Sequence, residues 1–226
     1  MSAVRSFLFA ADWRRLCARW PQARHSHVSM EVDDPFLTAY PQNLLRDGRA
    51  AEICYLLYRG QPGTGILLHT KSYYPEQAYR LPTGGLAPKE DPVAGVVREV
   101  AEETGLAVQE GPAGLRTGCL TDFAGLLTYG FRHRRLEQEL SFATFVFVIQ
   151  ASSGMEPQVV DETEQIAGWA WCPPGDLHRV AADLCALKER TPSWADWGRF
   201  RAAVHTEAAR YFEVRGLSDA GNPGAA

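Results

Sequence analysis

Glu99, Glu102 and Glu103 stand at i, i+3 and i+4 in a run that has no proline from Val93 to Thr104. A helix there puts three carboxylates on one face. Like charges so close repel, and Arg98, four residues before Glu102, offers one guanidinium against three carboxylates. A divalent cation answers the deficit, and a donor set made only of oxygens suits Mg²⁺ or Mn²⁺ better than zinc. Taken alone, such a run reads as an acidic, solvated helix face. It does not stand alone: Gly84 and Glu90 precede it in register, followed by Arg98-Glu99-Val100, Glu102-Glu103 and Gly105-Leu106. Each Gly, Glu or Arg has a background frequency of roughly 5–7%, so this coincidence arises by chance with a probability on the order of 10⁻⁷.

The elements that must position these groups are legible nearby. Asp91 suits an N-cap, and Pro92 suits the first helical position, where a missing N–H costs nothing. Val93, Val96, Val97 and Val100 recur at helical spacing and form an inward face. Gly105 is placed to end the helix in a left-handed conformation.

The stretch from Gly84 to Leu106 resembles the complete Nudix box, and the chain is similar to the MutT-like Nudix hydrolases. The resemblance implies an α/β Nudix fold: an α/β/α sandwich with a mixed β-sheet and the catalytic box in a loop-helix-loop. It implies a pyrophosphohydrolase that cleaves a phosphoanhydride in a nucleoside diphosphate linked to another group, with Mg²⁺ as cofactor and Mn²⁺ as substitute. Glu99, Glu102 and Glu103 become the expected metal ligands, with Arg98 orienting them and Glu90 supporting or adding to the metal site. Gly84 and Gly85 are expected beside the substrate. Thr83 stands where the family often has the first of two glycines, so a backbone-carbonyl ligand from residue 83 is not carried over. In several family branches a late acidic loop adds a metal ligand or base; here Glu164 and Glu162 are the candidates, an ordinary surface loop the alternative. ADP-ribose or another nucleotide-sugar is the default substrate, since no marker outside the box selects one. The reading from a different class is a non-catalytic, nucleotide-sensing module of the same fold.

The remainder of the 226 residues fits one domain with extensions. A net charge of −4 gives no footprint for nucleic acid. Five widely spaced cysteines with no CxxC pair indicate neither a disulfide framework nor a zinc site, and point to a reducing cytoplasm. The apolar run from Phe7 to Ala11 is too short to span a membrane. Residues 1–50 read as an N-terminal helix carrying Trp13 and Trp20, docked on the body, then an irregular connection from Glu31 to Arg49. Residues 51–213 read as the Nudix domain with its C-terminal helices, and 214–226 as a disordered tail.

Within the domain, Glu52–Tyr58 and Gly65–Thr70 predict a hairpin, and Leu140–Ile149, apolar on both faces, predicts a central strand. Arg80, entering the glycine turn, is either a phosphate ligand or an exposed strand-end arginine. Arg132, Arg134 and Arg135 read as a solvated hairpin tip, with phosphate binding the alternative. His69 and His133 have no metal-ligand spacing. Trp194, Trp197, Phe200, Val204, Ala208, Tyr211 and Phe212 form an apolar helical stripe, explained by core packing or by a homodimer interface.

Overall fold

Residues 51–59, Ala-Glu-Ile-Cys-Tyr-Leu-Leu-Tyr-Arg, carry apolar side chains toward both faces of a strand, so both faces must be covered. In the computed structural model, which describes residues 9–33, 36, 44–45, 48–61, 63–109, 113–114, 116–134 and 139–217, they are. Strand β2 (Ala51–Arg59) comes after helix α1 (Ala10–Arg19) and strand β1 (Arg24–Val32) and leads to β3 (Ile66–Lys71) and β4 (Thr83–Leu86). Helix α2 (Pro92–Thr104), strands β5 (Ala107–Gln109), β6 (Thr117–His133), β7 (Glu139–Ala151) and β8 (Ile166–Cys172), and helices α3 (Leu177–Arg190) and α4 (Ala195–Val214) complete the order.

The strands form one mixed sheet in the order β1-β6-β7-β2-β3-β8, with β4 on β2 and β5 on β6. Ile53, Tyr55 and Leu57 of β2, with Phe145, Phe147 and Ile149 of β7, face α1 and α2. Cys54, Leu56 and Tyr58, with Phe142, Val146 and Val148, face α3 and α4. The period-2 alternation of two buried strands thus builds the expected α/β/α layers. The apolar stripe of α4 is core: Trp197, Phe200, Val204, Ala208 and Phe212 are buried in the second of these faces. No helix among the described residues is long and apolar enough to cross a membrane, and all five cysteines are free.

Helix α1 packs on the sheet, Trp13 meeting Phe123 at 6.1 Å and Trp20 meeting Phe147 at 6.2 Å. The segment after this helix differs from the sequence reading. Arg24–Val32 is a strand, parallel to β6 from Arg24↔Gly125 to Val32↔His133, so Glu31 and Val32 end a strand rather than begin an irregular connection. Its alternation of Val28, Met30 and Val32 against polar neighbours is a half-buried edge pattern. The predicted hairpin also departs from expectation, since β2 and β3 pair only at Tyr58↔Ile66. Below that point β2 takes β4 instead, from Ala51↔Leu86 to Cys54↔Thr83, and β3 pairs with β8. The box turn is wedged into the resulting split: Tyr55 N–H donates to Pro82 O at 3.3 Å, while Arg80 bridges to His69. The expected disordered tail lies largely outside the described residues, as does Arg135.

Candidate active site

The box helix forms for the reasons its sequence states. Asp91 Oδ1 accepts from Val93 N at 2.8 Å and Ala94 N at 3.1 Å, and Pro92 opens the first turn. Gly105 adopts φ 69° and its N–H closes the helix onto Ala101 O. Val96 and Val100 pack on the β2 face, which turns Glu99 and Glu103 inward as well. Beneath them, Gly84 is needed for space: a Cβ there would sit 1.7 Å from the Glu99 carboxylate. Gly85 likewise makes room for the Arg49 guanidinium.

Arg98 ties the box together. Its Nε donates to Glu90 Oε1 at 3.0 Å, Nη2 to Gly85 O at 2.9 Å, and Nη1 to Glu99 at 2.7 Å and Glu102 at 3.0 Å. Glu90 thus holds Arg98, and it also accepts Ala87 N–H at 2.8 Å. Partial burial works against its charge, but the Arg98 bonds and that N–H hold its carboxyl below the usual range. Glu99 is different. Burial, reinforced by the charge of Glu103, pushes its carboxyl up to about 8 despite Arg98.

Glu103 is wholly buried, with Oε2 accepting the Tyr55 hydroxyl at 2.6 Å and Oε1 facing Lys71 Nζ at 3.2 Å. Oε1 has no well-aligned hydrogen bond, so the lysine contact is an ion pair and not a full replacement for solvation. Burial raises this carboxyl, with Lys71 and Tyr55 opposing. Lys71 also donates to Glu164 Oε2 at 2.6 Å. It reaches both by strand alternation, since Leu67, His69 and Lys71 share the face of β3 that meets the box helix. Glu164 is delivered by a single 3₁₀ turn, Glu162–Glu164, nucleated by Asp161 accepting Thr163 N–H and closed by Gln165 at φ 53°.

Ligand oxygens of Glu99, Glu102 and Glu164 lie within 4.8 Å of one another. Of the two late-loop candidates, the structure brings Glu164 to this cluster. Glu103 sits outside it, with its oxygens turned to Tyr55 and Lys71. A donor set made only of carboxylate oxygens fits a hard divalent cation.

The cluster opens into a cleft of about 550 Å³ lined by Arg49, Lys71, Arg80, Arg98, Tyr73 and Trp194 among others. Gly84 and Gly85 line it too. Arg80 does not match the exposed strand-end reading. It is buried, donates to Tyr74 Oη at 2.9 Å, Leu81 O at 2.8 Å and Thr83 Oγ1 at 2.8 Å, and stacks over the Tyr74 ring. Arg132 and Arg134 are not part of the cleft lining and pair with Glu31 and Asp33. Participants that escaped the sequence reading include Arg49, Tyr55, Lys71, and the buried pair Glu52–Arg201, in which Arg201 Nη1 lies 2.7 and 2.8 Å from the two carboxylate oxygens. A signal existed for Glu52 and Arg201, each a charge on an otherwise apolar strand or helical stripe.

The profile of the NUDIX domain matches residues 48–193. The chain belongs to the Nudix family. It is accordingly a pyrophosphohydrolase acting on phosphoanhydrides. No curated protein matches the chain. Among solved structures, it is similar to a C. elegans Ap4A hydrolase binary complex, at 17% identity and TM-score 0.47, covering 74% of this chain and 96% of that one. An E. coli dihydroneopterin triphosphate pyrophosphohydrolase matches at 19% identity and TM-score 0.39, over 59% and 85% of the two chains. A MutT protein from Methanosarcina mazei Go1 matches at 17% and 0.42, over 74% and 94%. Likenesses this distant carry no argument about substrate.

Proposed function

We propose that the protein hydrolyses a phosphoanhydride bond in a nucleoside diphosphate linked to a second group, with Mg²⁺ or Mn²⁺ as cofactor. The observation that carries this reading is the convergence of Glu164, from a distant loop, on Glu99 and Glu102 at the mouth of an arginine-lined cleft. These three residues would hold the cation. When bound there it would offset the negative charge of the diphosphate oxygens and leave the phosphorus more open to attack by water.

The chain's own groups do the rest. Arg98, anchored by Glu90 and Gly85 O, fixes the orientation of the Glu99 and Glu102 carboxylates. Arg49 and Arg80 line the cleft as cations for phosphate oxygens, Arg80 held rigid by Tyr74 and Thr83. Tyr73, partly exposed and edge-on to Tyr74 at 5.0 Å, offers a ring to a base or sugar. ADP-ribose or another nucleotide-sugar fits this division of the cleft into charged and aromatic parts.

The test is product release from a panel of nucleoside-diphosphate compounds in Mg²⁺, in Mn²⁺ and in chelator. Cleavage of one class of compound, abolished by chelator, supports the proposal. Tight nucleotide binding with no turnover in either metal would replace it with a sensing role.

A further inference from the structure

We infer that the ammonium of Lys71 is a built-in cation of the metal centre, occupying the position beside Glu103 that a further divalent ion would otherwise take. The inference rests on the metal-dependent reading above and concerns how the box carboxylates are divided.

Three independent features of the structure converge on it. Lys71 Nζ bridges Glu103 Oε1 at 3.2 Å and Glu164 Oε2 at 2.6 Å. The cluster able to hold a cation contains Glu99, Glu102 and Glu164 but not Glu103, although Glu103 stands one helical turn from Glu99. The lysine is aimed there by strand alternation, since Leu67, His69 and Lys71 share the face of β3 that meets the box helix.

The chemistry of the neighbours agrees. Glu103 is fully buried, its second oxygen held by the Tyr55 hydroxyl, and without a cation at Oε1 it would be an uncompensated charge in the core. A divalent ion could meet that need, but Lys71 already stands there. A divalent ion bound at Oε1 would stand beside the ammonium, which lies 3.2 Å from that same oxygen, and repulsion disfavours it. The residue type matters as well. In a chain with 3 lysines among its 23 basic residues, this buried position has the compact point charge rather than a guanidinium fork. Lys71 is thus a positioning residue, setting how many ions the box accepts and keeping Glu164 within reach of Glu99 and Glu102.

Mn²⁺ binding, measured on the full chain by calorimetry and by electron paramagnetic resonance of the free ion, tests this without substrate. Lys71→Met keeps an unbranched apolar chain and removes the charge. It should bind one more Mn²⁺ than wild type, a gain that Glu103→Gln cancels in the double variant and that Lys71→Arg does not show. Equal stoichiometry and affinity in wild type and Lys71→Met would overturn the inference. Should Lys71→Met fail to fold, Glu103→Gln alone decides. If Lys71 serves Glu103, that variant keeps the wild-type number of ions with affinity within about threefold; loss of an ion makes Glu103 a ligand and overturns the inference. Absence of Mn²⁺ binding by wild type would bring down the metal reading itself, a failure distinct from both.

Discussion

Gly84→Ala separates the active centre from the fold more cleanly than removal of a carboxylate. An ideal Cβ at Gly84 falls 1.7 Å from both the carboxylate carbon and Oε2 of Glu99, and 2.3 Å from its Cγ. Ordinary contact begins at 3.4 Å, so the carboxylate must retreat by about 1.7 Å, more than the roughly 1 Å misplacement that can cost 10²-fold in rate. The backbone has no reason to object, because Gly84 lies in strand β4 and is not among the glycines with positive φ. What must move is the end of one side chain. The expected result is a fall in kcat/KM of at least about 100-fold, or about 2.7 kcal/mol in the barrier. Tm should stay within about 3 °C of wild type, the equivalent of about 1 kcal/mol for a chain of this size. Gly130→Ala is the control, since its nearest neighbour to a new Cβ is a His27 ring atom at 3.5 Å and its φ is not positive. Steady-state kinetics beside thermal melts of the three proteins provide the reading. Gly84→Ala within threefold of wild-type kcat/KM would refute the view that Gly84 exists to seat Glu99.

Other outcomes derive from the same geometry. Arg98→Lys cannot reproduce a fork that serves Glu90, Glu99, Glu102 and Gly85 O at once, so metal affinity or activity should drop about 10–100-fold, read by Mn²⁺ titration. Arg201→Met leaves the buried Glu52 carboxylate, among the described residues, with the Thr144 hydroxyl at 3.0 Å, and should cost about 3–5 kcal/mol in urea unfolding. The double variant Glu52→Gln/Arg201→Met should recover much of that loss. His205 accepts Leu81 N–H at Nε2 and donates from Nδ1 to Arg201 O, and burial pushes its pKa from 6.5 down to about 3. The unfolded chain then takes up a proton that the native state refuses. This contribution is whole above pH 6.5 and lost as pH falls toward 3, at up to about 1.4 kcal/mol per unit. Unfolding free energies from pH 7 to 4 should therefore fall less steeply for His205→Gln than for wild type.

Legibility in the sequence tracked the range of the interactions. The box helix, its Asp91 cap, its Gly105 end and the grouping of Arg98 with Glu99 and Glu102 are set within about two helical turns, and spacing alone revealed them. The central position of β7 was readable because both of its faces are apolar. The β1–β6 pairing joins residues about a hundred positions apart, and no local pattern specifies a parallel partner. The same holds for Lys71. Alternation in Ile-Leu-Leu-His-Thr-Lys puts Leu67, His69 and Lys71 on one face, but nothing in it names Glu103 and Glu164 as the lysine's partners. Sequence narrowed the late-loop carboxylate to Glu162 or Glu164 and could go no further, because which one turns inward depends on the 3₁₀ turn after Asp161.

That same choice offers the sharpest test of whether Glu164 joins Glu99 and Glu102 around one cation. Mn²⁺-dependent hydrolysis of the best substrate should be compared in wild type, Glu164→Gln and Glu162→Gln. A shared cation requires a loss of at least about 100-fold for Glu164→Gln, as expected for a displaced catalytic group, and activity near wild type for Glu162→Gln. Undiminished hydrolysis by Glu164→Gln, or a loss confined to Glu162→Gln, would rule that arrangement out.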